Sequence, residues 1–212
     1  MCGILCGNNR QWDYDNGIQT IKHRGSDGQQ VKYMDEIFMA FNRLAIIDLS
    51  SNAMQPMTSQ DGRVTIVYNG EIYGYCSLKR ELEKKYRFIS DSDTEVILNA
   101  YLEYGDAFID KIDGMFAIAI YDQNISQVKL FRDRAGIKPL YYYYDGTNFA
   151  FSSELKALVK TCTTIDLKID HTAIYDYLFY QYIPTPKTMY QNCYKLPPAY
   201  KLIFDVSTKK VI

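Results

Sequence analysis

The chain has 212 residues, 47% hydrophobic and 23% charged, which is ordinary globular usage and enough for one large domain or one domain with an appended piece. A net charge of -1 gives no electrostatic case for binding nucleic acid or an anionic membrane surface. The five cysteines are scattered and odd in number, no leader pattern is present and no run approaches about 18 apolar residues, so a disulfide framework and a spanning helix are excluded and a soluble, cytoplasmic protein is expected.

The opening "CGILCGNN" reads as a short strand punctuated by glycine, and "NGIQTIKHRGSDG" as a short helix ending in a turn at Gly25 and Gly28. "EIFMAFNRLAIIDLS" has strand-forming residues with a polar break at Asn42-Arg43. A loop with an Asp-Gly signal follows, then "RVTIVYNGEIYGY", with Asn69 and Gly70 placed just after a strand. "SLKRELEKKY" reads as a charged surface helix. "SDSDTEVILNAYLEYG" is the clearest helix: Ser92 and Glu95 have capping-box spacing, Val96, Ile97, Ala100, Tyr101 and Tyr104 form one apolar face, and Gly105 stops it. "GMFAIAIYD", "QVKLFRD" and "PLYYYYDGTNFAFSSE" predict successive antiparallel strands, the last stretch turning at Asp145-Gly146. "SSELKALVK" and "HTAIYDYLFYQY" predict helices. Beyond Tyr182 the chain holds four of its six prolines and reads as an extended connector finished by a short strand. Strands and helices in batches point to antiparallel sheets with helices packed on them.

Several residues have both a bland and a chemical reading. Cys2 near a terminus is disordered on the bland one. If Met1 is removed, Cys2 carries a thiol and a free α-amine on one carbon, a nucleophile and a base in one residue. While Met1 stays, that nitrogen is tied up in a peptide bond. Asn69-Gly70 is either a hairpin turn or a side-chain amide and backbone N–H forming an oxyanion hole. Arg43 is either an edge-strand charge in water or a carboxylate clamp. Asp93 either complements a helix dipole or binds an ammonium. His23 is a possible partner for a Cys–His dyad. "FRDRAGIKPLYY" lacks Walker spacing and predicts a fixed turn with Asp133 and Arg134 paired. Cys2 and Cys6 lie four apart, but His23 and His171 do not complete a metal-site spacing, so no metal is expected.

In order along the chain, "MCGI", "HRGSDG", "RLAIIDLS" followed by "QPM", "NGEIY", "SDTEVIL", "GMFAIAIYD", "RDRAGIKPLYY" and "SSELKAL" resemble the N-terminal class II glutamine amidotransferase domain of glutamine-dependent asparagine synthetases. The resemblance covers residues 2 to about 160, and "YQYIPTPKTMYQNCYKLPPAY" is similar to that family's connector. It implies an α+β fold, a four-layer αββα sandwich of two antiparallel sheets flanked by helices. It implies an amidotransferase domain over 2–182 and a connector with a terminal strand over 183–212, leading to a synthetase domain. The implied chemistry is attack of Cys2 on the side-chain amide of L-glutamine, with the Cys2 α-amine, reference pKa about 7.7–8.0, as base. A thioester forms, ammonia leaves and water releases glutamate. Asn69 and Gly70 match the oxyanion donors, Arg43 the group holding the α-carboxylate and Asp93 the group holding the α-ammonium. Glu71, Ile46 and Ile47 match the remaining substrate contacts. No cofactor is implied in this domain; ATP and Mg²⁺ belong to the synthetase domain, whose serine-glycine-glycine loop does not occur here. The implied partners are L-glutamine, the synthetase domain and, as family members often pair, a second copy. Ser26 stands where the family commonly has proline, Asn42 where a charged residue is frequent, and Gly74 where asparagine is frequent.

Overall fold

A computed structural model describes residues 1–212 and arranges them as two six-stranded sheets. The first sheet holds β1 (Gly3–Gly7), β2 (Gly28–Met34), β3 (Ile37–Arg43), β8 (Tyr141–Tyr144), β9 (Phe149–Ser152) and β10 (Cys193–Lys195) in the order β10-β8-β9-β1-β3-β2. The second holds β4 (Met57–Thr58), β5 (Val64–Tyr73), β6 (Asp113–Asp122), β7 (Gln127–Arg132), β11 (Lys201–Asp205) and β12 (Lys210–Val211) in the order β12-β11-β7-β6-β5-β4. Every pairing is antiparallel. The helices are α1 (Tyr14–Thr20), α2 (Tyr75–Leu82), α3 (Asp93–Tyr104), α4 (Leu155–Thr161) and α5 (His171–Tyr180).

The inner strands β1, β3, β6, β7 and β9 and most of β5 are buried on both faces, and their period-two alternation divides the apolar residues between layers. Ile4, Cys6, Met39, Phe41 and Phe151 of the first sheet meet Val67, Ala117, Ala119, Leu130 and Phe204 of the second, and this is the central core. Their alternates face outward. Leu5, Phe38, Ala40 and Ala150 pack under α1 and α4 through Ile18, Ala157 and Leu158. Ile66, Ile118, Ile120 and Phe131 pack under α2 and α3 through Leu78, Leu82, Val96, Ile97 and Ala100. The result is the expected αββα sandwich. No helix is long and apolar enough to cross a membrane.

Local expectations fare unevenly. Asn69-Gly70 is not a turn and does not follow a strand: it lies inside the ten-residue β5, opposite Ala117 and Phe116 of β6. A hairpin reading weighs the dipeptide alone, whereas the apolar residues on either side carry the strand straight through it. The capping box is only half made. Ser92 accepts from the Thr94 N–H, but Glu95 turns to the Ile89 and Ser90 N–H groups and ties the preceding loop to α3. That helix is buried from Asp93 through Tyr101 rather than along one face. Arg43 is on an interior strand and only 7% exposed, so it is not an edge charge in water. The 183–212 stretch contributes β10 to one sheet and β11 and β12 to the other, three strands where one was expected, with Leu196, Leu202 and Phe204 in the central core.

Candidate active site

The central core gives way to a cavity at the end of β1 and β3 that faces β5. Cys2 continues the inward parity of Ile4 and Cys6, and Arg43 that of Met39 and Phe41, so both leave the apolar layer where the strands end. On β5, Asn69 and Glu71 continue the parity of Val67. The cavity measures about 220 Å³ and brings together Cys2, Arg43, Ile46, Ile47, Asn69, Gly70, Glu71 and Asp93, the residues that the resemblance implies for the site. Met1, still joined to Cys2, lines it as well.

The half-buried Cys2 Sγ accepts from the Leu44 N–H at 3.4 Å. Burial pushes the thiol up. The Leu44 N–H, the terminal amine, Arg43 and Arg24 pull the other way without reversing it. Arg24 Nε donates to the Cys2 carbonyl at 3.0 Å and Arg24 Nη1 to Glu154 at 2.9 Å, which fixes the first turn of chain. Gly25 permits this docking: a Cβ there would stand 2.5 Å from the Asn42 carbonyl oxygen. His23 pairs with Glu154 at 2.8 Å, not with Cys2, so there is no Cys–His dyad.

Across the cavity, the Asn69 Nδ2 is buried and has no hydrogen-bond partner. An unpaired buried amide costs about 1–3 kcal/mol, so a fold that keeps one leaves a donor in reserve. Backbone alternation supplies a second donor. The Tyr68 N–H donates away from β6 to Gln55 Oε1 at 2.6 Å, and the Ile72 N–H donates to Asp93 Oδ2 at 3.1 Å. Alternate residues of a strand turn their N–H groups to the same side, so the Gly70 N–H between them also points off the free edge of β5. Gly70 has to be glycine for a separate reason: a Cβ would lie 2.3 Å from the Met115 carbonyl oxygen and 2.6 Å from the Tyr68 ring.

The remaining charges are unneutralised. Asp93 is buried and accepts from the Tyr68 hydroxyl at 2.8 Å, and none of the salt bridges includes it. Burial raises its pKa, the Tyr68 and Ile72 hydrogen bonds oppose that, and the Glu71 charge adds to it. Such a carboxylate suits an incoming cation. The Arg43 guanidinium donates to the carbonyls of Ser50, at 2.7 Å, and Asp48, and so fastens the loop that carries Ile46 and Ile47. That loop is also held by the Ala45 N–H on Asp27 and by Asp48 accepting from the Asp91 N–H, both at 2.8 Å. Ile46 and Ile47 stay exposed at its rim.

A family model described as "Glutamine amidotransferase domain" matches residues 1–211. The chain belongs to that family. It is 39% identical over 182 residues to "Asparagine synthetase [glutamine-hydrolyzing] 1" of Bacillus subtilis (strain 168), an alignment covering 85% of this chain and 28% of that protein. It is 36% identical over 213 residues to "Putative asparagine synthetase [glutamine-hydrolyzing] 2" of Methanocaldococcus jannaschii, covering 91% and 41%. The chain therefore spans less than half the length of these relatives. Among solved structures, the Bacillus subtilis glutamine phosphoribosylpyrophosphate amidotransferase complexed with ADP and GMP superposes with a TM-score of 0.71 over 100% of this chain and 49% of that one. At 17% identity that likeness is one of fold. This is a class II glutamine amidotransferase domain related to asparagine synthetases over most of its length.

The amidotransferase domain also uses residues that sequence reasoning did not place. Gln55 holds Tyr68 and donates to Thr94 at 3.1 Å, linking β5 to α3, while Leu44 serves through its backbone alone. Both lie in segments that carry the resemblance, "RLAIIDLS" and "QPM", but nothing local marks the contact each makes across the fold. The Asp133–Arg134 pair does not form. Asp133 accepts from the N–H groups of Phe116, Ala135, Ile137 and Lys138, and Arg134 donates to the Ile112 carbonyl instead. The fixed turn exists, held by backbone donors to one carboxylate.

Proposed function

We propose that the domain hydrolyses the side-chain amide of L-glutamine to glutamate and ammonia through a Cys2 thioester. In the longer protein, the ammonia supplies an asparagine-forming domain dependent on ATP and Mg²⁺. The observation that carries this reading is the unpaired Asn69 amide, set in one cavity with Cys2, Arg43 and Asp93. Free glutamine presents one anion, one cation and one reactive amide. Arg43, Asp93 and the Cys2/Asn69/Gly70 group answer one each.

Removal of Met1 frees the Cys2 α-amine. That amine takes the thiol proton as Sγ bonds to the amide carbon, and the oxygen becomes an oxyanion facing Asn69 Nδ2 and the Gly70 N–H. Collapse breaks the C–N bond, and the amine's proton passes to the departing nitrogen, which leaves as ammonia. The same amine then takes a proton from water, whose oxygen attacks the thioester. The C–S bond breaks, and glutamate and the free thiol are restored. Glu71 and the backbone around Ile46 and Ile47 make the remaining contacts to the substrate.

The test is one intact mass after incubation with a glutamine-mimicking diazo ketone, alongside an assay for glutamate. A mass lacking Met1 and carrying one adduct, with the adduct lost in Cys2→Ala, is the expected result. Protein that lacks Met1 yet takes no adduct and releases no glutamate overturns the reading.

A further inference from the structure

The reaction above leaves two charged residues of the cavity unused: Asp48, whose carboxylate accepts from the Ser50 and Asp91 N–H groups, and Lys138. Lys138 lines the same space as Met1, Cys2, Gly70 and Met115, yet it is only 6% exposed and its Nζ makes no hydrogen bond or salt bridge. Its stem leaves a rigid turn. The Lys138 N–H donates to Asp133 Oδ2 at 3.0 Å, and its carbonyl accepts from Arg132 Nε at 2.8 Å. The neighbouring Asp133 does not neutralise it, because that carboxylate is filled by backbone N–H groups. The Lys138 ammonium is therefore a cation with no protein partner at this end of the cavity.

We propose that Lys138 is a positioning residue of the glutaminase site, an uncompensated cation that keeps the Cys2 α-amine in its unprotonated, base-competent form. The proposal rests on the glutaminase reading and goes beyond it. A second ammonium in the same cavity is disfavoured by like-charge repulsion. In the chain with Met1 in place, the terminal amine is already pushed down, mainly by burial. Cys2 opposes that change, while Arg24 and Lys138 add to it. The other charges around this end do not cancel Lys138. Arg24 and Arg43 are cations, committed to the Cys2 carbonyl and to the 48–50 turn. Asp93 accepts from Tyr68 and Ile72, and neither it nor the exposed Glu71 forms an ion pair with Lys138. On its own turn, Arg132 and Arg134 are spent on carbonyls.

The experiment is the pH profile of kcat/KM for glutamine hydrolysis by protein shown by mass to lack Met1. In Lys138→Met the acid limb moves to higher pH by roughly 0.5–1 unit, the size of one like charge acting across a partly solvated gap, while the alkaline plateau changes little. Lys138→Arg returns the limb to its wild-type position. A Lys138→Met limb that coincides with wild type overturns the proposal, as does Lys138→Arg shifted as far as Lys138→Met. Melting curves accompany each variant, and Lys138→Gln is read in the same way if Lys138→Met does not fold. Wild-type protein that neither hydrolyses glutamine nor takes the diazo ketone adduct overturns the glutaminase reading itself, a different result from an active variant with an unmoved limb.

Discussion

The two walls of the cavity are built differently. The β5/α3 wall presents Asn69, Gly70 and Asp93 from regular elements, with Gly70 pressed between Tyr68 and the β6 backbone. The β1/β3 wall presents Cys2 from just before β1 and Arg43 from the last residue of β3, steadied by a few long-range contacts: Arg24 to the Cys2 carbonyl, Leu44 to the thiol and Arg43 to the 48–50 turn. Ladder hydrogen bonds make the first wall rigid in any state of the site, while the second wall depends on each tie. In the proposed reaction, the donors that would meet developing charge sit on the rigid side, where no reorganisation is needed. The groups that would admit substrate and bear the nucleophile sit on the pinned side.

Removing one donor from the rigid wall should give the largest effect. Asn69→Ala deletes an amide that is already unpaired, so the fold loses no hydrogen bond and kcat carries the change. Glutaminase kcat is expected to fall roughly 10²–10³-fold with KM within a few-fold. A rise in KM at unchanged kcat would assign Asn69 to ground-state binding instead. Asp93→Asn separates binding from stability on the same wall. KM for glutamine should rise about 10–100-fold through loss of a charged contact to the ammonium. The folded-state pKa of Asp93 is raised, so the native state binds its proton more tightly than the unfolded chain does. Stability contributed by this group therefore falls as pH rises past its ordinary range, and the uncharged variant should melt no lower than wild type at pH 7. A clear drop in Tm there would mean that the Tyr68 and Ile72 contacts need the charge.

On the pinned wall, Arg43→Lys keeps the charge but cannot span the carbonyls of Asp48 and Ser50 together. KM should rise about ten-fold, with proteolytic nicking in 44–50 becoming faster. Unchanged nicking would show that the loop is held by Asp27 and Asp48 alone.

The layers were legible in the sequence because each strand repeats its apolar residues with period two, and the central core collects one parity and the outer cores the other. The site was legible only through the ordered resemblance. Read alone, Asn69-Gly70 looked like a turn, and nothing local distinguishes an amide in a turn from an amide in a strand that faces a cavity. Gln55, Leu44 and Lys138 were not legible as site residues, since their place follows from contacts across the chain, such as Tyr68 with Gln55 and Leu44 with Cys2. Glu95 shows the limit even at short range: the capping-box spacing is present, but the side chain finds better donors in the loop before the helix.

The smallest effect expected is at Glu154, the outermost tie of the pinned wall. Burial alone would raise its pKa, but hydrogen bonds from Arg24, Lys156 and His23 outweigh that and bring it from 4.5 to about 2. Between those values the unfolded chain binds more protons than the folded one. The stability Glu154 supplies is thus present above 4.5 and is lost as pH falls towards about 2. Glu154→Gln should be less stable than wild type by about 1 kcal/mol at pH 7, since the network is partly open to water. The two urea midpoints should converge on acidification, because protonation gives wild type the same neutral side chain. Arg24 loses one of its two anchors but keeps the Cys2 carbonyl, so kcat should fall only a few-fold. Midpoints that stay parallel down to low pH would place the ionisation elsewhere and leave Arg24 held by the Cys2 carbonyl alone. The nucleophile's wall would then depend on fewer ties than the distances imply.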